Sequence, residues 1–238
     1  MESPARSTPV LSASARAGIV LWAVQVLYVP IELAAAAWST APYSLAHNTI
    51  SDLGAVTCTS IPYHSQHVPV CSPAHVAVNG AFILFGAAMA VGAVLLRPQL
   101  PTGAMMTAAV ALWVMTGLSS IGTGLTPLDQ LLTLHVIVSL PGIVLSGVAM
   151  ALTGAVLARS WDPRWWRLVA IGALSLVSGV VLLVRLEVQW GGLIERFALW
   201  PSFAACTVVA LAALRRAGER GRPGPRQRGA ARSRDIAS

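Results

Sequence analysis

The sequence holds no lysine and little charge of either sign. All 16 basic residues are arginine, and charged residues make up 11% of the 238, against about 25% in an ordinary soluble domain. So few charges cannot clothe a water-soluble fold in which 55% of the residues are hydrophobic. We read the uniform use of arginine as the mark of a GC-rich genome, not of function. No phosphate-binding loop, dinucleotide fingerprint, haem signature or nucleotide motif occurs, so the chain does not power itself by nucleotide hydrolysis. The arginines form no patch interleaved with aromatic residues, which argues against nucleic acid as a partner. Sustained alternation of polar and apolar residues is missing too, so a membrane β-barrel is not expected.

What is present is apolar sequence in long runs, with a mean hydropathy of +0.69. Six stretches reach the roughly 20 residues that a spanning helix needs: 18–38, 75–96, 103–124, 131–157, 166–184 and 192–214. The expected fold is all-α, a six-helix transmembrane bundle over residues 17–214, with one long loop at 39–74. Residues 1–16 and 215–238 are its tails. Pro141 inside the fourth stretch predicts a kink or tilt. With the N-terminus inside, fourteen of the sixteen arginines fall on the cytoplasmic side and only Arg185 and Arg196 fall outside. The positive-inside rule therefore predicts cytoplasmic termini and an outward loop. Trp161, Trp165 and Trp166 sit beside the inner arginines, as an interfacial belt would. The expected location is the cell membrane, the inner membrane of a bacterium. A cleaved signal peptide is the rival reading of the first stretch, and Pro30 and Glu32 late in that run argue against it. The tail 215–238 is rich in Arg, Gly, Pro and Ser and reads as a disordered topology anchor. Its sharper reading is binding to anionic lipid head groups, at about 1 kcal/mol per Arg.

The long loop carries Cys58 and Cys71. Two thiols in one outward loop predict a disulfide, while Cys206 reads as a small apolar filler. A zinc site from Cys58, His64, His67 and Cys71 is the competing view, and its spacing fits no common zinc module. No metal or other cofactor is expected. Residues 44–54, if helical, place His47 and Ser51 on one face; the bland alternative is a surface turn capped by Asn48 or Ser51. Gly80, Gly86 and Gly92 recur at six residues, not at the four-residue spacing of close helix pairing.

Six costly polar residues share one depth. At about 1.5 Å per residue, His135, Asn79 and Glu195 lie some 5–8 Å inside the outer edge, and Glu32 lies late in the outward-running first helix. Such residues normally face the bundle or a wet cavity and find partners. A Glu–Arg pair between the first and last helices is a reasonable arrangement. We therefore expect one outward-opening pocket lined by Glu32, Asp52, Asn79, His135, Glu195 and Arg196. The alternative is that each residue only locks helix packing, at about 0.6 kcal/mol apiece.

The run Asn48-Thr-Ile-Ser-Asp-Leu-Gly54, then Cys58, Val70-Cys-Ser-Pro73 and Asn79, resembles the bacterial domain-of-unknown-function 998 family of membrane proteins. Pro127, Asp129, His135 and Gly192-Leu-Ile-Glu-Arg196 extend the likeness over most of the membrane domain, with both tails left out. The resemblance implies a multi-helix integral membrane protein and no particular reaction; His64 to His67 lies outside the pattern.

Three classes of function fit these residues. An enzyme acting on a lipid at the outer leaflet would use His135 as general base, Asp52 or Asp129 to orient it, and Ser51 as nucleophile, although no elbow motif frames Ser51. Glu32, Asp52 and His135 could instead hold a divalent metal. A small-molecule or proton-coupled transporter would use the same pocket, but the polar set is shallow and no repeat is visible. A scaffold or sensor would meet a protein partner through the loop.

Overall fold

A computed structural model of the chain describes residues 11–63, 66–184 and 189–220. His64, Arg185 and most of both tails, residues 1–10 and 221–238, lie outside these. Among the described residues six helices are long and apolar enough to cross a membrane. The first span, Ala13–Ala37, is built from α1 (Ala13–Ala23), a 3-10 turn (Val24–Leu27) and α2 (Tyr28–Ala37). The others are α3 (His75–Leu96), α4 (Ala104–Leu125), α5 (Leu132–Ser160), α6 (Trp166–Val184) and α7 (Gly191–Arg220). The protein is thus a multi-pass membrane protein. Val76, Leu84 and Val184 are each at least 70% exposed on the bundle, which lipid tolerates and water does not. The predicted second and fifth stretches coincide with α3 and α6. The sixth runs longer than expected: α7 continues to Arg220, so the first six residues of the tail segment are helical.

Each helix packs on the next, α3 on α4, α4 on α5, α5 on α6 and α6 on α7, and α1 closes the ring by packing on both α3 and α7. Close approach is made by glycines facing each other from different helices. A Cβ on Gly86 of α3 would stand 2.6 Å from the Gly117 carbonyl of α4. One on Gly172 of α6 would stand 2.6 Å from the Gly147 carbonyl of α5. Spacing within a single helix, as at Gly80, Gly86 and Gly92, carries no sign of these pairs.

Two prolines open the helical ladder, and side chains repair it. Pro30 has no N–H, and its ring presses on the carbonyl four residues back, next to the 3-10 turn Val24–Leu27. There the Thr207 hydroxyl accepts from the Val26 N–H at 3.2 Å, and buried Gln25 donates to the carbonyls of Leu21 (3.2 Å) and Phe85 (3.0 Å). At Pro141 the Ser119 hydroxyl of α4 donates to the Val138 carbonyl and accepts from the Gly142 N–H at 2.8 Å. A proline is admissible in a membrane helix when neighbours satisfy the freed groups in this way.

The loop between α2 and α3 carries two strands that the sequence did not announce. β1 (Thr59–Tyr63) pairs antiparallel with β2 (Gln66–Val70), with Thr59 opposite Val70. Pro62 and Pro69 disguise the pattern, since proline is tolerated only where no ladder bond is needed. Ile61 and Val70 bury against Ala55 and Leu128 in a small separate core. Cys58 and Cys71 are joined in a disulfide at the base of the hairpin. That bond occupies both thiols and removes the zinc alternative, which needs them free.

Candidate functional site

The segment 43–54 folds over the loop end of the bundle, and its local structure follows from its own residues. Thr49 and Asp52 bond reciprocally, in the manner of a capping box: the Asp52 N–H donates to the Thr49 hydroxyl (3.2 Å), and the Thr49 N–H donates to an Asp52 carboxylate oxygen (2.9 Å). This starts the 3-10 turn Ser51–Gly54. Thr49, not Asn48 or Ser51, makes these reciprocal bonds with Asp52, and the segment is a series of turns, not one helix. His47 bonds to Ser44 at 3.0 Å, while Ser51 points to α5. Both nonetheless border the same open space.

Polar residues of three spans, α3, α5 and α7, bond this segment. Asn79 of α3 donates to the Gly54 carbonyl (2.8 Å), and Glu195 of α7 accepts from the Ile50 N–H (2.5 Å). The turn holding Ser51 is therefore clamped at both ends. Arg196 donates to the carbonyls of Leu45 (2.7 Å), Asn48 (2.9 Å) and Gly192 (2.9 Å), and to the Tyr43 hydroxyl (2.7 Å). Its Nη2 also lies 2.8 Å from Glu32 of α2, both side chains at most 3% exposed. Glu32 takes a further bond from the Trp200 indole at 2.6 Å. The expected Glu–Arg pair between the first and last spans is thus present.

The orientation of His135 differs from expectation. Its Nδ1 bonds the Thr126 carbonyl at 2.6 Å and its Nε2 bonds Ser51 Oγ at 2.9 Å. Neither Asp52 nor Asp129 touches it. Asp129 instead binds the loop, accepting from the N–H groups of Val56 and Thr57 at 2.9 Å each. Burial raises the Asp129 carboxyl, and the bonds from Val56, Thr57 and Gln130 together outweigh it and hold the group below its ordinary range. Asp52 accepts from the Tyr63 hydroxyl at 2.6 Å. Burial pushes its carboxyl above the ordinary range, although Tyr63, Thr49 and Asn48 pull the other way. Burial raises the Tyr63 phenol too, with Asp52 beside it adding to the shift.

An open space of about 120 Å³ lies under the loop. Its polar wall is Thr49, Ser51, Asp52, Tyr63, His135 and Glu195; its apolar wall includes Val136 and Ile143 of α5 and Leu182 and Leu183 of α6. A second space of about 40 Å³ lies deeper, sharing Ser51, Ser139, Ile143 and Glu195 with the first and lined by hydroxyls of Thr116, Ser119 and Thr123. Of the six expected pocket residues only Asp52, His135 and Glu195 border either space. Asn79 and Arg196 bind the loop instead, and Glu32 binds Arg196 and Trp200 of α7. A metal at Glu32, Asp52 and His135 does not fit, because Glu32 is engaged by Arg196 and Trp200, and no group of three or more His, Cys, Asp or Glu among the described residues could hold one. Sequence reading passed over Tyr43, Tyr63, Trp200 and Ser139. Ser139 was within reach, since it lies one turn beyond His135 on the same face.

The residues that gather at this end of the bundle are those of the family pattern read in the sequence: Asn48 to Gly54, Cys58, Cys71, Asn79, Asp129, His135, Glu195 and Arg196. No curated protein and no solved structure matches the chain. Residues 17–215 match the family described as "Protein of unknown function (DUF998)", and the chain belongs to that family.

Proposed function

We propose that the space under the loop binds the polar head group of an amphiphile drawn from the bilayer. One observation carries this reading. The space has hydrogen-bonding groups of the loop on one side and aliphatic side chains of α5 and α6 on the other, which is the chemistry of a molecule with a polar end and an apolar end. At 120 Å³ it is well below the roughly 300–1,000 Å³ of a pocket that encloses a whole drug-sized ligand, so the head group enters and the tail stays among the helices' lipid-facing residues. Among the described residues that line the space, Asp52 and Glu195 are carboxylic acids and none is an arginine, which favours a neutral or amine-bearing head group over a phosphate.

Native mass spectrometry of the detergent-purified protein tests this. The wild type is expected to retain a lipid-sized adduct, and Val136→Trp, which fills the apolar wall, to lose most of it. A wild type that flies without any adduct counts against the site.

The arginine asymmetry supports the orientation in which this site faces outward in a bacterial inner membrane. Arg97, Arg159, Arg164, Arg167, Arg215, Arg216 and Arg220 all lie at the end of the bundle opposite the loop, where Arg159 stacks 5.4 Å from the Trp166 ring and Arg216 4.9 Å from Trp161. A reporter fused after residue 238 is expected to be active only in the cytoplasm; activity outside would reverse the threading.

A further inference from the structure

We infer that Ser51 and His135 form a nucleophile and general-base pair that cleaves or transfers the acyl group of an ester-bearing amphiphile. This rests on the reading of the space under the loop as an amphiphile site and gives that site a reaction. A backbone carbonyl can only accept, so the His135 Nδ1 that lies 2.6 Å from the Thr126 oxygen must carry a hydrogen. In the neutral ring the Nε2 lone pair is then free, and it faces Ser51 Oγ at 2.9 Å. The Thr126 carbonyl therefore sets the tautomer, as a carboxylate does in a triad. Ser51 cannot drift, because Glu195 holds the N–H of the residue before it and Asn79 holds the carbonyl at the end of its turn. Nucleophile and base both border the space that has an apolar wall for the tail, and Ser51 also borders the deeper one. That deeper space, at about 40 Å³, has room for one water at roughly 30 Å³.

The chemistry balances without a further reagent. Ser51 Oγ bonds to the ester carbonyl carbon while His135 Nε2 takes the hydroxyl proton. The ester C–O bond then breaks, and the leaving alcohol receives that proton. Water, or a second alcohol, attacks the acyl-serine with His135 again taking the proton; the bond to Oγ breaks and the proton returns to Ser51. Glu195 and Asn79 are positioning residues in this scheme.

A small alkyl fluorophosphonate, which forms a stable adduct with a base-activated serine, tests the pair on the full-length protein in detergent. The expected result is one adduct on Ser51 by peptide mass analysis, absent in Ser51→Ala and formed about 100-fold more slowly or worse in His135→Gln, as loss of a general base predicts. An unlabelled wild type, an adduct on another residue, or an undiminished rate in His135→Gln overturns the inference. If His135→Gln does not fold, the site of the wild-type adduct still decides. The two readings fail separately. A wild type that retains lipid but takes no adduct keeps the binding site and loses the reaction. One that is labelled at Ser51 but retains no lipid keeps the reactive pair and loses the amphiphile reading.

Discussion

Arg196→Met is expected to destabilise the protein by about 3–5 kcal/mol, the usual result of removing one member of a buried ion pair. The substitution leaves Glu32, 1% exposed, with the Trp200 indole as its remaining partner. It also releases the carbonyls of Leu45, Asn48 and Gly192 and the Tyr43 hydroxyl. Glu32→Gln is expected to cost less, because Arg196 then keeps all four of those partners and loses only the charge opposite. The double variant should recover part of the loss, that due to the stranded carboxylate, and none of the loss due to the freed loop. Thermal unfolding of the four proteins in one detergent measures this order. Equal melting temperatures for Arg196→Met and the wild type would mean that α7 does not hold the loop in this way.

Gly192→Val is expected to have the second large effect, and on both stability and the site. A Cβ at this position would collide with the Asn48 carbonyl oxygen and stand 2.8 Å from the Leu45 oxygen, the two loop carbonyls that Arg196 binds. Those atoms are backbone, so no rotamer change relieves the clash and segment 45–48 must lift from α7. Overpacking of this kind costs about 1–3 kcal/mol. The displacement also breaks the bonds from the N–H groups of Gly192 and Leu193 to the loop and draws Ile50 away from Glu195, which moves Ser51 off His135. Lipid retention should fall with the melting temperature. Gly80→Ala is the control: a Cβ there meets nothing within 4 Å, and alanine favours a helix interior over glycine by about 0.5–1 kcal/mol. A Gly192→Val protein as stable as the control would contradict the contact.

Much of the site's membership was legible, and its wiring was not. Glu32, Asp52, Asn79, His135, Glu195 and Arg196 stood out because charge and amide groups are costly in lipid. Their shared depth groups them at one end of the bundle. The sequence did not separate those that bind the loop from those that border the open space. It supplied a carboxylate to orient His135 where the protein uses the Thr126 carbonyl. Gln25, mid-span and fully buried, also passed unnoticed, since its partners are carbonyls freed beside a proline-induced turn.

By itself the sequence determined the six spans and, through Cys58 and Cys71, the staple of the loop. In a bilayer each helix must satisfy its own backbone, so length and apolar composition suffice to mark it. Tertiary structure alone decided which glycines touch, where the ladder is patched, and that Ser51 meets His135 across 84 residues. Backbone groups position even that pair, the Thr126 carbonyl aiming His135 and the Ile50 N–H and Gly54 carbonyl fixing the turn of Ser51, and nearly every residue carries such groups alike. No choice of side chain along the chain records which of them will be met.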